Sequence, residues 1–291
     1  MRRFVVVLAL SMALGCETAA PKPPATAPAQ AAAAQPAARH TNENLNGVLW
    51  MQTGAEYRAS ALQTYRLARV QLDLALADPK WTAAVEQPGD ASSLPPAVIL
   101  DLDETVIDNS AAAARQITDE SSYSPAVWNA WVRERKSRAI PGAVEFLKYA
   151  KSKGVTPFYV TNRVHEVEDA TRENLAALGI PLDPSIDTVL TRNENGWTAS
   201  DKSSRRQAVA AKYRILLLVG DNFEDFVSGT LTTIEKRFAL VDQYADRWGE
   251  KWIVLPNPTY GSWESAISSG QGQLTDAQLL ALKYKTLRTD R

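Results

Sequence analysis

Apolar and polar positions along this chain follow two periods. From about Thr41 to Asp78, Tyr57, Ala61, Tyr65, Ala68, Leu72 and Ala75 recur at spacings of three and four, which predicts an amphipathic helix ended by Pro79. Beyond it, short continuous apolar runs alternate with helical stretches. Strands are predicted at 97–103 (AVILDLD), 156–162 (TPFYVTN), 187–192 (DTVLTR) and 214–221 (RILLLVGD), with late strands at 237–242 (RFALVD) and 251–257 (KWIVLPN). Between them, 142–154 reads as a helix opened by Pro141 and closed by Gly154, 166–179 as a helix with an acidic first turn, and 203–212 as a third. A final helix, 275–287, takes Thr275 as its cap.

Strand–helix alternation with strands that are apolar throughout predicts an α/β fold, a parallel sheet with helices on both faces and right-handed crossovers. Ligands of such sheets sit beyond the carboxyl ends of the strands. Asp101 and Asp103 end one predicted strand, Thr161 and Asn162 a second, and Asp221 a third, so all should face one crevice. Residues 109–140 break the alternation. With Trp128 and Trp131 on one helical face, they read as a cap inserted over the crevice mouth.

Composition adds limits. The chain has 291 residues, 45% hydrophobic and 22% charged, with formal net charge −1, which excludes the basic field that nucleic-acid polymers require. Arg2 and Arg3 precede an apolar run from Phe4 to Leu14 and then Gly15–Cys16, an export signal. Cys16 is the one cysteine. It is either a thiol discarded with the signal or the lipidated first residue of a bacterial lipoprotein; its position directly after the apolar core favours lipidation, although Ala13 and Leu14 stand in reversed order for that pattern. Residues 17–40, where Ala and Pro fill 16 of 24 positions, read as a disordered tether. The expected organisation is a signal at 1–16, the tether at 17–40 and a catalytic domain at 41–291 with its insert at about 109–140. The expected location is a bacterial membrane, the outer one, through a lipid on Cys16. Oligomeric state stays open, a homo-oligomer included.

The acids at the strand tips carry the chemistry. A carboxylate can attack phosphorus and form an acyl phosphate. A second acid two residues on can protonate the leaving oxygen and then activate water. Phosphoryl transfer mainly needs neutralisation of the equatorial oxygens. Mg²⁺ held by carboxylates, with Lys202 and the Thr161 hydroxyl, would supply that neutralisation.

"ILDLDET", "YVTNR", "DKSSRR" and "VGDNFEDF", in that order, resemble the four motifs of the haloacid-dehalogenase (HAD) superfamily of phosphatases. With "WVRERKSRAIPGAVEF" and "LPNPTYGSWE" added, residues 45–290 look like the class C non-specific acid phosphatases, bacterial surface lipoproteins some of which act as nucleotidases. The resemblance implies Asp101 as nucleophile and metal ligand, and Asp103 as general acid/base lending its carbonyl to the metal. It implies Thr161 and Lys202 at the phosphate, Asn162 either at the phosphate or fixing the loop, Asp221 as a ligand of Mg²⁺ with Asp225 supporting the metal from beside or behind it, and Tyr260 with Trp128 or Trp131 as an aromatic clamp. The expected substrate is a small phosphomonoester, a nucleoside monophosphate or aryl phosphate.

Blander readings apply elsewhere. Glu104 and Asp108 read as helix-start acids or hydrogen-bond holders, His165 as a loop residue, His40 as idle and 133–138 (RERKSR) as a solvated face or one that helps attract anionic phosphate. A dehalogenase would lack Asp103, and a phosphomutase would carry a different cap. A non-catalytic surface lipoprotein or adhesin on the same fold would be expected to have lost Asp101, Asp103 or Lys202.

Overall fold

The apolar run around Val98 forms the centre of the sheet. The computed structural model describes residues 42–290. Among them are strands β1 (Pro96–Leu100), β2 (Ile107–Asp108), β3 (Arg138–Ala139), β4 (Thr156–Val164), β5 (Val189–Arg192), β6 (Arg214–Gly220) and β7 (Trp252–Val254). The helices are α1 (Leu45–Thr53), α2 (Ala55–Ala77), α3 (Ser110–Thr118), α4 (Pro125–Glu134), α5 (Ala143–Ser152), α6 (Glu168–Ala177), α7 (Ser203–Ala210), α8 (Ile234–Gln243), α9 (Ser262–Ile267) and α10 (Asp276–Thr286). Five strands make one parallel sheet in the order β5-β4-β1-β6-β7, and β2 with β3 makes an antiparallel ribbon.

Both faces of the sheet are covered, which is why its strands are apolar without interruption. Val98 and Leu100 join the core under α2 and α5, with Tyr65, Leu72, Phe146 and Leu147. Ala97 and Ile99 join the opposite core, with Val209, Phe226 and Trp252. Full burial of each such aliphatic side chain contributes about 1.5–3 kcal/mol. The register slips between Ala97 and Val98, which pair with Ile215 and Leu217. Leu216 is therefore an extra residue on β6, and both it and Leu217 face the α2 side. The Trp81 indole N–H donates to the Leu216 carbonyl at 2.9 Å, so the irregular backbone stays satisfied.

Three expectations change. The helix expected from 41 to 78 is two helices, because the backbone turns extended at Gly54 (ψ 118°), a break that suits glycine, since a β-carbon there would stand 2.6 Å from the Trp50 carbonyl oxygen. The run 237–242, expected as a strand, lies inside α8, where the Thr233 hydroxyl accepts from the Lys236 N–H at 3.4 Å and caps the start. Its apolar run is too short for periodicity to separate strand from helix. The second predicted strand runs two residues further, to Val164, and so includes Arg163.

The segment 109–140 holds α3 and α4, and its base is closed by the β2–β3 ribbon, Ile107 opposite Ala139. Trp131 and Val132 of α4 pack with Val167 and Ala170 at the α6 side. No helix among the described residues is long and apolar enough to cross a membrane. Cys16, the signal and the tether lie outside the described residues.

Candidate active site

The ends of β1 and β6 adjoin because those strands pair directly. The Asp101 N–H donates to the Val219 carbonyl at 2.9 Å, which extends the pairing to the first acid. The chain then turns sharply: the N–H groups of Val106 and Ile107 both reach the Leu102 carbonyl, at 2.8 and 2.9 Å. Glu104 takes the left-handed conformation (φ 57°) in this turn, uncommon for a residue with a β-carbon. That conformation turns its carboxylate inward, where it accepts from the Asn109 N–H at 2.7 Å and from the Tyr260 hydroxyl.

At the tip of β6, the Asp221 carboxylate accepts from the Thr105 hydroxyl and from the Asn257 amide, each at 2.9 Å. A 3₁₀ turn at Phe223–Asp225 then brings Asp225 back towards the tip. Its carboxylate accepts from the Asn222 N–H at 2.9 Å and lies against Gly220. Lys202, just before α7, is 4% exposed and donates to Asp101 and, at 2.6 Å, to Asp225.

Asp101, Asp221 and Asp225 each offer an oxygen within 4.8 Å of the other two. Three ionised carboxylates and one ammonium leave two negative charges in excess, and all the donors are hard oxygens. That set suits a divalent cation. The electrostatics agree. Burial pushes Asp101 well above the usual carboxylate range despite Lys202. Burial, then Asp225, raises Asp221 to about 7. Burial would lower Lys202, but Asp101 and Asp225 outweigh it and raise it. The carboxyls are held in a place where protons or a cation must compensate them.

The β4 tip is also organised by buried charge. Arg205, fully buried, donates to the Thr161 carbonyl and, at 2.7 Å, to the Asn162 side-chain oxygen. The Thr161 hydroxyl is buried, accepts from the Arg163 N–H at 3.1 Å and lies 3.5 Å from Asp103. The Asp103 carboxylate is engaged by Arg163 at 2.7 Å and by the Asn109 amide at 2.8 Å, so it stands apart from the three-carboxylate group.

A cavity of about 740 Å³ opens over these tips. Asp101, Asp103, Asn162, Lys202, Asp221 and Asp225 lie along its floor side, and Trp128 and Tyr260 also line it. Tyr260 is 43% exposed. Thr161 is not among the lining residues. Trp131 is buried and gives its indole N–H to Asn109 at 3.0 Å, a packing role inside the insert.

Residues 17–263 match the sequence profile of the family described as "HAD superfamily, subfamily IIIB (Acid phosphatase)". The chain belongs to this family. It is similar to the class C acid phosphatase from Bacillus anthracis, at 33% identity over 84% of this chain and 97% of that one, TM-score 0.73. A second structure of that phosphatase, with tungstate bound, matches at 32% identity over the same shares, TM-score 0.73. This acid phosphatase is accordingly a phosphomonoesterase with a parallel α/β fold, and its acidic cluster fits the divalent metal such enzymes use.

Several residues of the phosphatase site escaped the sequence reading. Arg163, Arg205 and Asn257 lie inside the quoted motifs and Asn109 four residues past the first of them, yet nothing local marks their partners, 43 to 60 residues away for Arg205 and Arg163. Glu104 is a hydrogen-bond holder, as one of its two readings has it, and its partner Tyr260 lies 156 residues on. His165 sits outside the cavity lining, its Nδ1 2.8 Å from Glu168. The 133–138 run is a surface face, the buried Ser137 excepted, in which Lys136 pairs with Glu134 at 2.8 Å and Arg135 with Glu173.

Proposed function

We propose that this acid phosphatase hydrolyses nucleoside monophosphates and aryl phosphates in two steps through an aspartyl phosphate on Asp101, with Mg²⁺ as its cation. Asp101, Asp221 and Asp225 would hold the ion, with the Asp103 carbonyl. Once bound, the ion would neutralise charge on the phosphoryl oxygens. Asp101 attacks phosphorus, and Asp103 gives its proton to the departing oxygen. Asp103 then takes a proton from the water that hydrolyses the acyl phosphate. Lys202 orients a phosphoryl oxygen and offsets charge on Asp101. Asn162 shapes the phosphate end of the cavity, and Thr161, buried behind the lining, accepts from the Arg163 N–H and braces that end from behind.

The observation that carries this reading is the meeting of Asp101, Asp221, Asp225 and Lys202 at adjacent strand tips. Tungstate, bound by the Bacillus anthracis relative, is a tetrahedral oxyanion of the phosphate type, which such a floor would suit once a divalent cation and Lys202 offset its carboxylates. The cavity volume falls within the range of small-molecule sites. Trp128 and Tyr260 offer flat apolar surfaces for a base or aryl group. A lipid on Cys16 and the tether would hold the enzyme at the outer membrane.

The test is hydrolysis of p-nitrophenyl phosphate in mild acid with Mg²⁺. Activity should vanish with EDTA and in Asp101→Asn, and return on adding Mg²⁺ to the wild type. Undiminished turnover in either would overturn the mechanism.

A further inference from the structure

Arg163 is a fully buried cation beside the site, and the steps above give it no part. Its guanidinium grips Asp103 from one side: Nη2 stands 2.7 Å from Oδ1, and Nε stands 3.0 and 3.2 Å from Oδ1 and Oδ2. The Asn109 amide adds a donor to Oδ1 at 2.8 Å. Asn109 is itself fixed, since its side-chain oxygen accepts from the Trp131 indole at 3.0 Å and the Ser137 hydroxyl at 2.7 Å. Arg163 also donates to that oxygen, at 3.2 Å. Trp131 and Ser137 both belong to the 109–140 insert.

The grip is lopsided. Oδ1 takes the three short contacts, while Oδ2 keeps only the 3.2 Å contact from Arg163 and the 3.5 Å contact from Thr161. We propose that Arg163 and Asn109 are positioning residues that fix the Asp103 carboxyl through Oδ1 and leave Oδ2 to move the proton, with the insert holding Asn109 in place through Trp131 and Ser137. The proposal rests on Asp103 being the proton donor. In the first step an Asp101 oxygen bonds to phosphorus. The bond from phosphorus to the leaving oxygen breaks, its electron pair staying on that oxygen, which takes the proton from Oδ2. In the second, water bonds to phosphorus, loses a proton to Oδ2, and the Asp101–phosphorus bond breaks. Both steps need Oδ2 facing the same line, which a freely rotating carboxyl would hold only part of the time.

A purely structural role for the network predicts equal losses on all substrates. A positioning role predicts losses that grow as the leaving group needs its proton more. The experiment compares kcat/KM for 2,4-dinitrophenyl phosphate, whose leaving group needs no proton, with a primary alkyl phosphate, in wild type, Asp103→Asn, Arg163→Met, Asn109→Ala and Trp131→Phe. Asp103→Asn should lose about 10²-fold or more on the alkyl ester beyond its loss on the aryl ester. Arg163→Met and Asn109→Ala should show the same bias at about tenfold, and Trp131→Phe a smaller one. Trp131→Phe keeps an aromatic ring in the core and carries the test should Arg163→Met not fold. If Asp103→Asn is biased and the other variants fall equally on both esters, the positioning role is overturned while the acid/base role stands. If Asp103→Asn itself shows no bias, both fall.

Discussion

A β-carbon on Gly220 would stand 2.3 Å from Oδ2 of Asp225. The bare backbone at the end of β6 is therefore what lets Asp225 fold back to Lys202, the Asn222 N–H and the other two acids. Gly220→Ala forces that side chain away, because its Cβ and Cγ would also stand 2.5 and 2.7 Å off and its carboxylate is held by Lys202 and the Asn222 N–H. The variant should lose about 1–3 kcal/mol of stability and its response to Mg²⁺. A urea midpoint and thermal shift matching the wild type, with and without the ion, would refute the account.

Lys202 pairs with two buried carboxylates. Removing one partner of a buried pair costs about 3–5 kcal/mol, since it leaves charge uncompensated. Lys202→Met should show that loss in chelator by chemical denaturation near neutral pH, and Mg²⁺ should restore part of it. Activity should stay low even where stability returns, because the proposed mechanism uses the ammonium at the phosphate. Full activity in the rescued variant would remove Lys202 from the substrate.

The raised acids set a pH dependence. Burial, with Asp225, lifts Asp221 to about 7, and burial lifts Asp101 in the same direction. The metal-free folded protein thus keeps protons that the unfolded chain releases at about pH 4. Its stability should fall as pH rises from there through about 7, the sign for a folded state that binds more protons. Mg²⁺ needs the ionised carboxylates, so its thermal stabilisation should be larger at about pH 8 than at about pH 5, with proton release on binding. Calorimetry in two buffers of different ionisation enthalpy reads that release; none at about pH 6 would contradict it.

The Tyr260 hydroxyl is tied to Glu104 while its ring stays partly exposed at the cavity. Tyr260→Ala should raise KM for nucleoside monophosphates by roughly 1–3 kcal/mol of lost stacking, and leave small aliphatic phosphates near wild type. Tyr260→Phe should keep the ring, loosen its orientation and fall between the two. Equal changes on both substrate classes would take this ring out of the pocket.

A lipid on Cys16 should place the enzyme in the detergent phase of a membrane extract and incorporate labelled palmitate. Cys16→Ser should abolish the label. A labelled Cys16→Ser, or an unlabelled wild type, would contradict the anchor.

Much of the floor was legible along the chain. Strands such as 214–220 are buried on both faces, so they read as unbroken apolar runs, and an acid that ends such a run has one place to point. Asp101, Asp103 and Asp221 could be found that way, and Lys202 by its order in the motifs. The late element at 237–242 was misread because a short apolar run fits both periods, and a helix cap at Thr233 decided it.

The amino-acid order by itself determined the alternating elements, their burial on both sides and the acids at their ends, because those are local properties of period and hydrophobicity. The tertiary structure decided which side chains meet: Arg163 with Asp103, Tyr260 with Glu104, Lys202 with Asp225, and Asn109 with Trp131. Those meetings follow from the strand order β5-β4-β1-β6-β7 and the way the insert folds back over it. Contacts between groups tens of residues apart are set by packing in three dimensions, and no local pattern of polarity records them.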